Sequence, residues 1–168
     1  MGKLVQVATT TVTSPVSSVT LTGINTDDVY MLAYSGMTCS VDTQQNVFRV
    51  TKSGTPDTTL NYDYAYKILY AGTTFGNSYA SNQNAVTSTF QGTGTGEATN
   101  GILYLYNFNS SSEYSFATIE DVSLNFVPYG EGRQGGFVHT VASASDGIHL
   151  FMGSGNITGG TFTLYKVL

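Results

Sequence analysis

Two histidines and one carboxylate are the first residues in this chain that could do chemistry. His139 and His149 fall on neighbouring strand candidates, and Asp146 lies between them. An imidazole titrates near neutral pH and its neutral ring ligates metals, so the trio could form a general-base or metal site. The competing reading is that each is a single strand histidine on the surface or at an interface, and in a chain this rich in Ser and Thr that reading is preferred. In a trimer, histidines near the axis could hold an ion. The acidic pairs Asp27-Asp28 and Glu120-Asp121 do not make a catalytic dyad, because successive residues on a strand point to opposite faces. A calcium loop needs acidic residues at regular spacing, and no Asp-x-Asp-x-Asp run exists. Gly92, Gly94 and Gly96 resemble a phosphate loop, but no Lys-Ser/Thr pair follows them, so the segment is expected to be a flexible loop. Asn109-Ser-Ser111 and Asn156-Ile-Thr158 match the N-glycosylation triplet and are read as turn chemistry. No catalytic residue, no metal site and no cofactor is assigned.

Aromatic residues are the remaining candidates. The chain has twelve Tyr and nine Phe but no Trp. Tyrosine joins apolar area to a polar tip, which suits interfaces and sugar stacking. Tyr62, Tyr64 and Tyr66 lie two apart on one strand face, opposite Asp63, Ala65 and Lys67. Their preferred role is to fill a sheet surface within the fold or between subunits. Together with Tyr79 and Tyr129 they form the set of candidate interface or glycan contacts.

These residues must be positioned by strands. Charged residues make up 10% of the chain, far below the usual ~25%, and Thr, Ser, Gly, Asn and Tyr take their place. Strand and turn formers dominate and helix formers are scarce, which predicts an all-β fold. About ten short strands separated by turn signals are expected in one domain over residues 1–168, the pattern of a β-sandwich or barrel. The apolar run Ile102–Phe108 is the expected core strand. Segments 71–84, 92–101 and 128–136 read as loops, and 35–46 as loop with a weak strand near Cys39. Val122, Leu124 and Phe126 alternate along a strand candidate. The closing stretch Leu150–Leu168 reads as a hairpin whose glycines, at 153, 155, 159 and 160, serve turn geometry.

Charge limits the partners. Eleven acidic and six scattered basic residues give a net charge of −5, without the basic patch that nucleic acid requires. No apolar run approaches the ~18 residues of a membrane span, so no membrane insertion is expected. The N-terminal residues lack the apolar core of a signal peptide, and the chain is expected to be soluble and unprocessed. The single cysteine, Cys39, excludes an intrachain disulfide.

Several segments, in order, resemble small β-rich virion proteins of tailed bacteriophages, especially marine and cyanobacterial ones. They are Ile24-Asn-Thr-Asp-Asp-Val-Tyr30, Tyr62-Asp-Tyr-Ala-Tyr66, Gly101-Ile-Leu-Tyr-Leu-Tyr-Asn107 with Ser112-Glu-Tyr-Ser-Phe116, and above all Gly153-Ser-Gly-Asn-Ile-Thr-Gly-Gly-Thr-Phe-Thr-Leu-Tyr165. The chain departs from that pattern in lacking a proline before its Ser-Ser turn, where it has Asn107-Phe-Asn-Ser110, and in having Lys166 where the pattern has glycine. The resemblance implies a non-enzymatic structural protein on the particle surface, jelly-roll-like and forming a homotrimer. Its implied role is capsid decoration or cement on the major capsid protein. The alternative is a tail fibre or receptor-binding protein that contacts other tail proteins and host cell-surface glycans.

Overall fold

The computed structural model describes residues 2–72, 74–124 and 129–168. Among them the chain is all-β, with thirteen strands: β1 (Leu4–Val12), β2 (Ser18–Thr22), β3 (Tyr30–Cys39), β4 (Gln44–Lys52), β5 (Thr55–Pro56), β6 (Tyr62–Tyr70), β7 (Gly76–Gln83), β8 (Val86–Gln91), β9 (Thr99–Tyr106), β10 (Ser115–Leu124), β11 (Gly130–His139), β12 (Gly147–Met152) and β13 (Ile157–Val167). Eight of them form an antiparallel sheet in the order β1-β13-β3-β9-β10-β11-β6-β7. The others form a smaller antiparallel sheet, β2-β12-β4-β5, with β8 also paired to β4. The two sheets make a β-sandwich, one of the two architectures that the spacing of turn signals allows. Its wiring includes β9, β10 and β11 as consecutive neighbours in one sheet.

The core lies between the sheets and is filled by alternate residues of each strand. On β10 the alternation is complete: Ser115, Ala117, Ile119, Asp121 and Ser123 are buried, and the residues between them are exposed. Tyr34 of the large sheet packs on Phe48 of the small one at 6.1 Å between ring centroids, and stacks on Phe162 at 6.5 Å. Tyr30, Leu32, Leu103, Leu105 and Ile119 are fully buried around them. Apolar side chains of this size each contribute about 1.5–3 kcal/mol when removed from water.

Four sequence expectations are corrected. The closing stretch is two strands but not a hairpin: β12 pairs with β2 and β4 in the small sheet, while β13 pairs with β1 and β3 in the large one. A period of two marks a strand without naming its partner, and residues 153–156 here carry the chain across the sandwich. Gly155 and Gly160 do take positive φ, 76° and 123°, as turn and bulge geometry requires. Segment 71–84 contains β7 rather than only loop. Segment 35–46 is largely strand, since β3 runs to Cys39 and β4 starts at Gln44. The glycine-rich segment 128–136 belongs mostly to β11, from Gly130 onward. Its low strand propensity is overridden because β11 is bonded on both sides, to β10 and to β6. Pro128 and Phe126 lie outside the described residues.

Because β13 is bonded on both sides and its Phe162 is fully buried, Phe162→Ala is expected to lower stability by about 3–5 kcal/mol in urea denaturation. Deleting Thr161–Leu168 removes most of the strand between β1 and β3, and far-UV circular dichroism should show the sheet signal lost.

Candidate functional site

The large sheet is covered by the small sheet on one face, and among the described residues nothing covers its other face. Strand register places the side chains of that outer face in transverse rungs. One rung passes through Tyr165, Met31, Tyr104, Thr118, Gly136, Ala65 and Tyr79, crossing seven strands. The next passes through Thr163, Ala33, Ile102, Glu120, Gln134 and Lys67. On this second rung Gln134 Nε2 donates to Glu120 Oε1 at 2.9 Å, and Lys67 Nζ donates to Asn77 Oδ1 at 3.1 Å.

Large and small side chains are grouped rather than mixed on this face, and two concavities lie over it. The first, about 640 Å³, lies over Ala33, Ser35, Asn100, Ile102 and Thr163, flanked by Tyr165, Val122 and Glu120. The second, about 570 Å³, lies over Ala65, Thr118 and Gly136. Tyr79, Tyr106, Phe116 and Val138 flank it, with Asp63 and Ser81 also in the lining. Tyr79 is 81% exposed and Phe116 44%. Contiguous apolar surface of this kind marks a binding face more often than isolated exposed hydrophobic residues do.

Beneath the outer face lies a buried polar layer. Tyr34, Gly101, Asp121 and Arg133 are cross-strand neighbours facing inward. Tyr34 reaches across Gly101, where a Cβ would stand 2.5 Å from its hydroxyl, so glycine is needed there for the close approach. Its hydroxyl donates to Asp121 Oδ2 at 3.3 Å, and the Ser88 hydroxyl donates to the same oxygen. Ser88 belongs to β8, so this carboxylate ties the two sheets together. Arg133 donates from Nε to Glu131 Oε1 at 2.8 Å and from Nη1 to the Ser88 carbonyl at 2.7 Å. Burial pushes the Asp121 carboxyl up to about 6, against the opposing pull of Ser88, Arg133 and Tyr34. Burial likewise raises the Tyr34 hydroxyl well above its ordinary value.

The structure separates the residues that the sequence offered as a joint site. His139 is fully buried on β11, its Nε2 3.3 Å from Asp57 Oδ2, with its ring on Tyr62 at 4.7 Å. Burial lowers the pKa of His139 and outweighs the pull of Asp57. The Asp57 carboxyl is partly buried, which works to raise it, but bonds from Thr59 and Lys52 hold it at about 2. His149 lies on β12 in the other sheet, its Nδ1 2.8 Å from the Thr20 hydroxyl. Asp146 accepts bonds from the Thr51 hydroxyl at 2.7 Å and from the Gly54 amide at 2.8 Å, anchoring a turn. The predicted neighbourhood of these two histidines is therefore corrected: β11 and β12 follow each other in sequence but belong to different sheets. In the acidic pair, Asp121 points inward and Glu120 outward, as alternation requires. In the loop at 92–96, Glu97 accepts a bond from the Gly94 amide at 2.7 Å, so a carboxylate occupies the donor a phosphate would use.

The candidate tyrosines also divide. Tyr62 and Tyr66 are buried in the core, which removes them as contacts for a glycan or partner. Tyr64 is half-buried, stacked on Tyr66 at 5.2 Å and bonded to the Thr87 hydroxyl at 2.9 Å. Tyr79 and Tyr129 are exposed. Tyr104, Tyr106, Phe116 and Tyr165, which sequence reasoning did not single out, belong to the outer face. Their alternation with the buried Leu103, Leu105 and Ala117 was the available signal. The chain matches no family model, no curated protein and no solved structure.

Asp121 and His139 pull stability in opposite directions as pH changes. Asp121 has a raised folded-state pKa, so the folded chain binds the extra proton, and the resulting stability is lost as pH rises through about 6. His139 has a lowered one, so its effect is the reverse: stability is lost as pH falls below the ordinary histidine value of 6.5. Asp121→Asn isolates the first effect. Its stability relative to the parent chain should rise by up to ~3 kcal/mol between pH 4 and pH 8, read from urea denaturation at each pH.

Proposed function

We propose that this chain is a non-enzymatic structural protein whose working surface is the outer face of the eight-stranded sheet. The observation that carries this reading is that face: two aromatic-flanked concavities on a regular sheet, with Asp121 and His139 buried beneath the surface. The part of the outer face around Tyr79, Tyr106, Phe116 and Val138 is apolar and would release water on contact. Its carrier on the particle surface would be a jelly-roll-like trimer decorating the major capsid protein of a tailed bacteriophage. That placement rests on the resemblance of the segment Gly153–Tyr165 and the motifs preceding it.

The second reading is a tail protein that binds host glycans. The groove beside Tyr79 favours it, because an aromatic ring for stacking stands with a carboxylate and a hydroxyl, Asp63 and Ser81, in one lining.

Quantitative mass spectrometry of purified particles tests the first reading. A copy number comparable to that of the major capsid protein is expected. A few copies confined to the tail would favour the second reading, and absence from particles would overturn both. Phe116→Asp, an exposed position, is expected to leave the thermal melt nearly unchanged and to reduce capsid binding at least tenfold. In the glycan reading, Tyr79→Ala would instead abolish binding on a glycan array.

A further inference from the structure

The eight-stranded sheet does not close on itself, so it has two ends, β1 and β7. Each pairs on one side only, β1 with β13 and β7 with β6. Among the described residues, no backbone hydrogen bond is made on the far side of either strand. The one side-chain bond onto the β7 carbonyls is local, from Gln83 Nε2 to Ser81 O at 2.8 Å. Such edges are templates for another strand, and proteins that must avoid pairing guard them with lysine, proline or a covering loop. Neither edge is guarded by its own residues. β1 reads Leu-Val-Gln-Val-Ala-Thr-Thr-Thr-Val and β7 reads Gly-Asn-Ser-Tyr-Ala-Ser-Asn-Gln, without a charge or a proline in either. The register shifts at Gln6/Ala8 and at Tyr62/Tyr64 occur in the ladders already formed with β13 and β6.

The two edges also match each other. They are nine and eight residues long. Every neighbouring pair in the sheet is antiparallel, and the number of strands is even, so β1 and β7 run in opposite directions. A second copy placed beside the first in the same orientation therefore brings its β1 antiparallel to the first copy's β7. A single kind of junction then satisfies both edges. Pairing β1 with β1 across a twofold axis would leave both β7 edges bare. Neutral strand meets neutral strand at the junction, so the net charge of −5 on each copy does not oppose it there. Tyr79, 81% exposed in the middle of β7, would gain cross-strand neighbours from β1 of the next copy.

We propose that copies of this chain associate head to tail, β7 of one copy adding antiparallel to β1 of the next, so that the large sheet continues from copy to copy. Head-to-tail contacts of this kind give closed rings or open filaments according to the rotation between copies. The junction uses the sheet edges rather than its outer face, so it goes beyond the capsid or glycan reading and does not depend on either.

Sedimentation velocity of the full chain over a dilution series, with two edge-blocked variants, tests it. Tyr79→Lys with Ser81→Lys blocks β7, and Gln6→Lys with Thr11→Lys blocks β1, all four at exposed positions. The parent chain should sediment as a species larger than its 17.9 kDa mass. Each variant alone should be a monomer. An equimolar mixture of the two should form a two-copy complex and nothing larger, because one intact β1 and one intact β7 remain. That complex also reports that both variants fold, and the single changes Tyr79→Lys and Gln6→Lys serve if a double variant loses its circular dichroism. A parent chain that is monomeric throughout, a β7-blocked variant that still assembles alone, or a mixture of folded variants that stays monomeric would each overturn the proposal.

Discussion

Every other feature of this molecule depends on the antiparallel hydrogen-bond ladder of the eight-stranded sheet. Because successive side chains on a strand point to opposite faces, the register of that ladder assigns each residue either to the interior or to the outer face. A shift of one residue on β10 would bring Glu120 and Val122 into the core and expose Asp121 and Ile119. The core, the polar layer and the aromatic outer face are thus consequences of one register, and they cannot be changed independently.

The interior is not uniformly apolar. Tyr34, Ser88, Asp121, Glu131, Thr89 and Arg133 form a buried polar layer between the sheets. Removing a carboxylate from water is costly, and the bonds from Ser88 and Tyr34 only partly offset it, which is why the Asp121 carboxyl holds its proton up to about 6. The layer contributes specificity: Ser88 on β8 finds its acceptor only when the small sheet docks in one position on the large one. The glycine at position 101 is part of the same device, because it makes room for the Tyr34 ring that spans the rung.

The outer face and the edges follow from the same ladder by subtraction. The small sheet covers only one face of the large one, so the rungs through Tyr165, Tyr104 and Tyr79 stay open to a partner. An open sheet also leaves a free edge at each end, and those of β1 and β7 are neutral. Face and edge ask for different partners: the face suits a surface that buries aromatic groups, and the edge suits an extended strand.

The sequence alone determined the fold class, most of the strands and the alternation that separates Glu120 from Asp121, since all of these depend on local composition and a period of two. It placed Tyr62, Tyr64 and Tyr66 on one strand face but grouped them with Tyr79 and Tyr129 as contacts, without telling which are buried and which stay open to water. Pairing was decided by the tertiary structure. The two closing strands look like a hairpin because they are adjacent and joined by glycines, yet they pair in different sheets, since local pattern does not encode a strand's partner. β7 and the glycine-rich start of β11 read as loop because their residues are poor strand formers, and only neighbours on the ladder hold them extended. Likewise His139 and His149 look like a pair along the chain, but the crossing between sheets gives one to a buried contact with Asp57 and the other to Thr20. The face of the large sheet emerged only when eight strands, drawn from the whole length of the chain, were laid side by side in register.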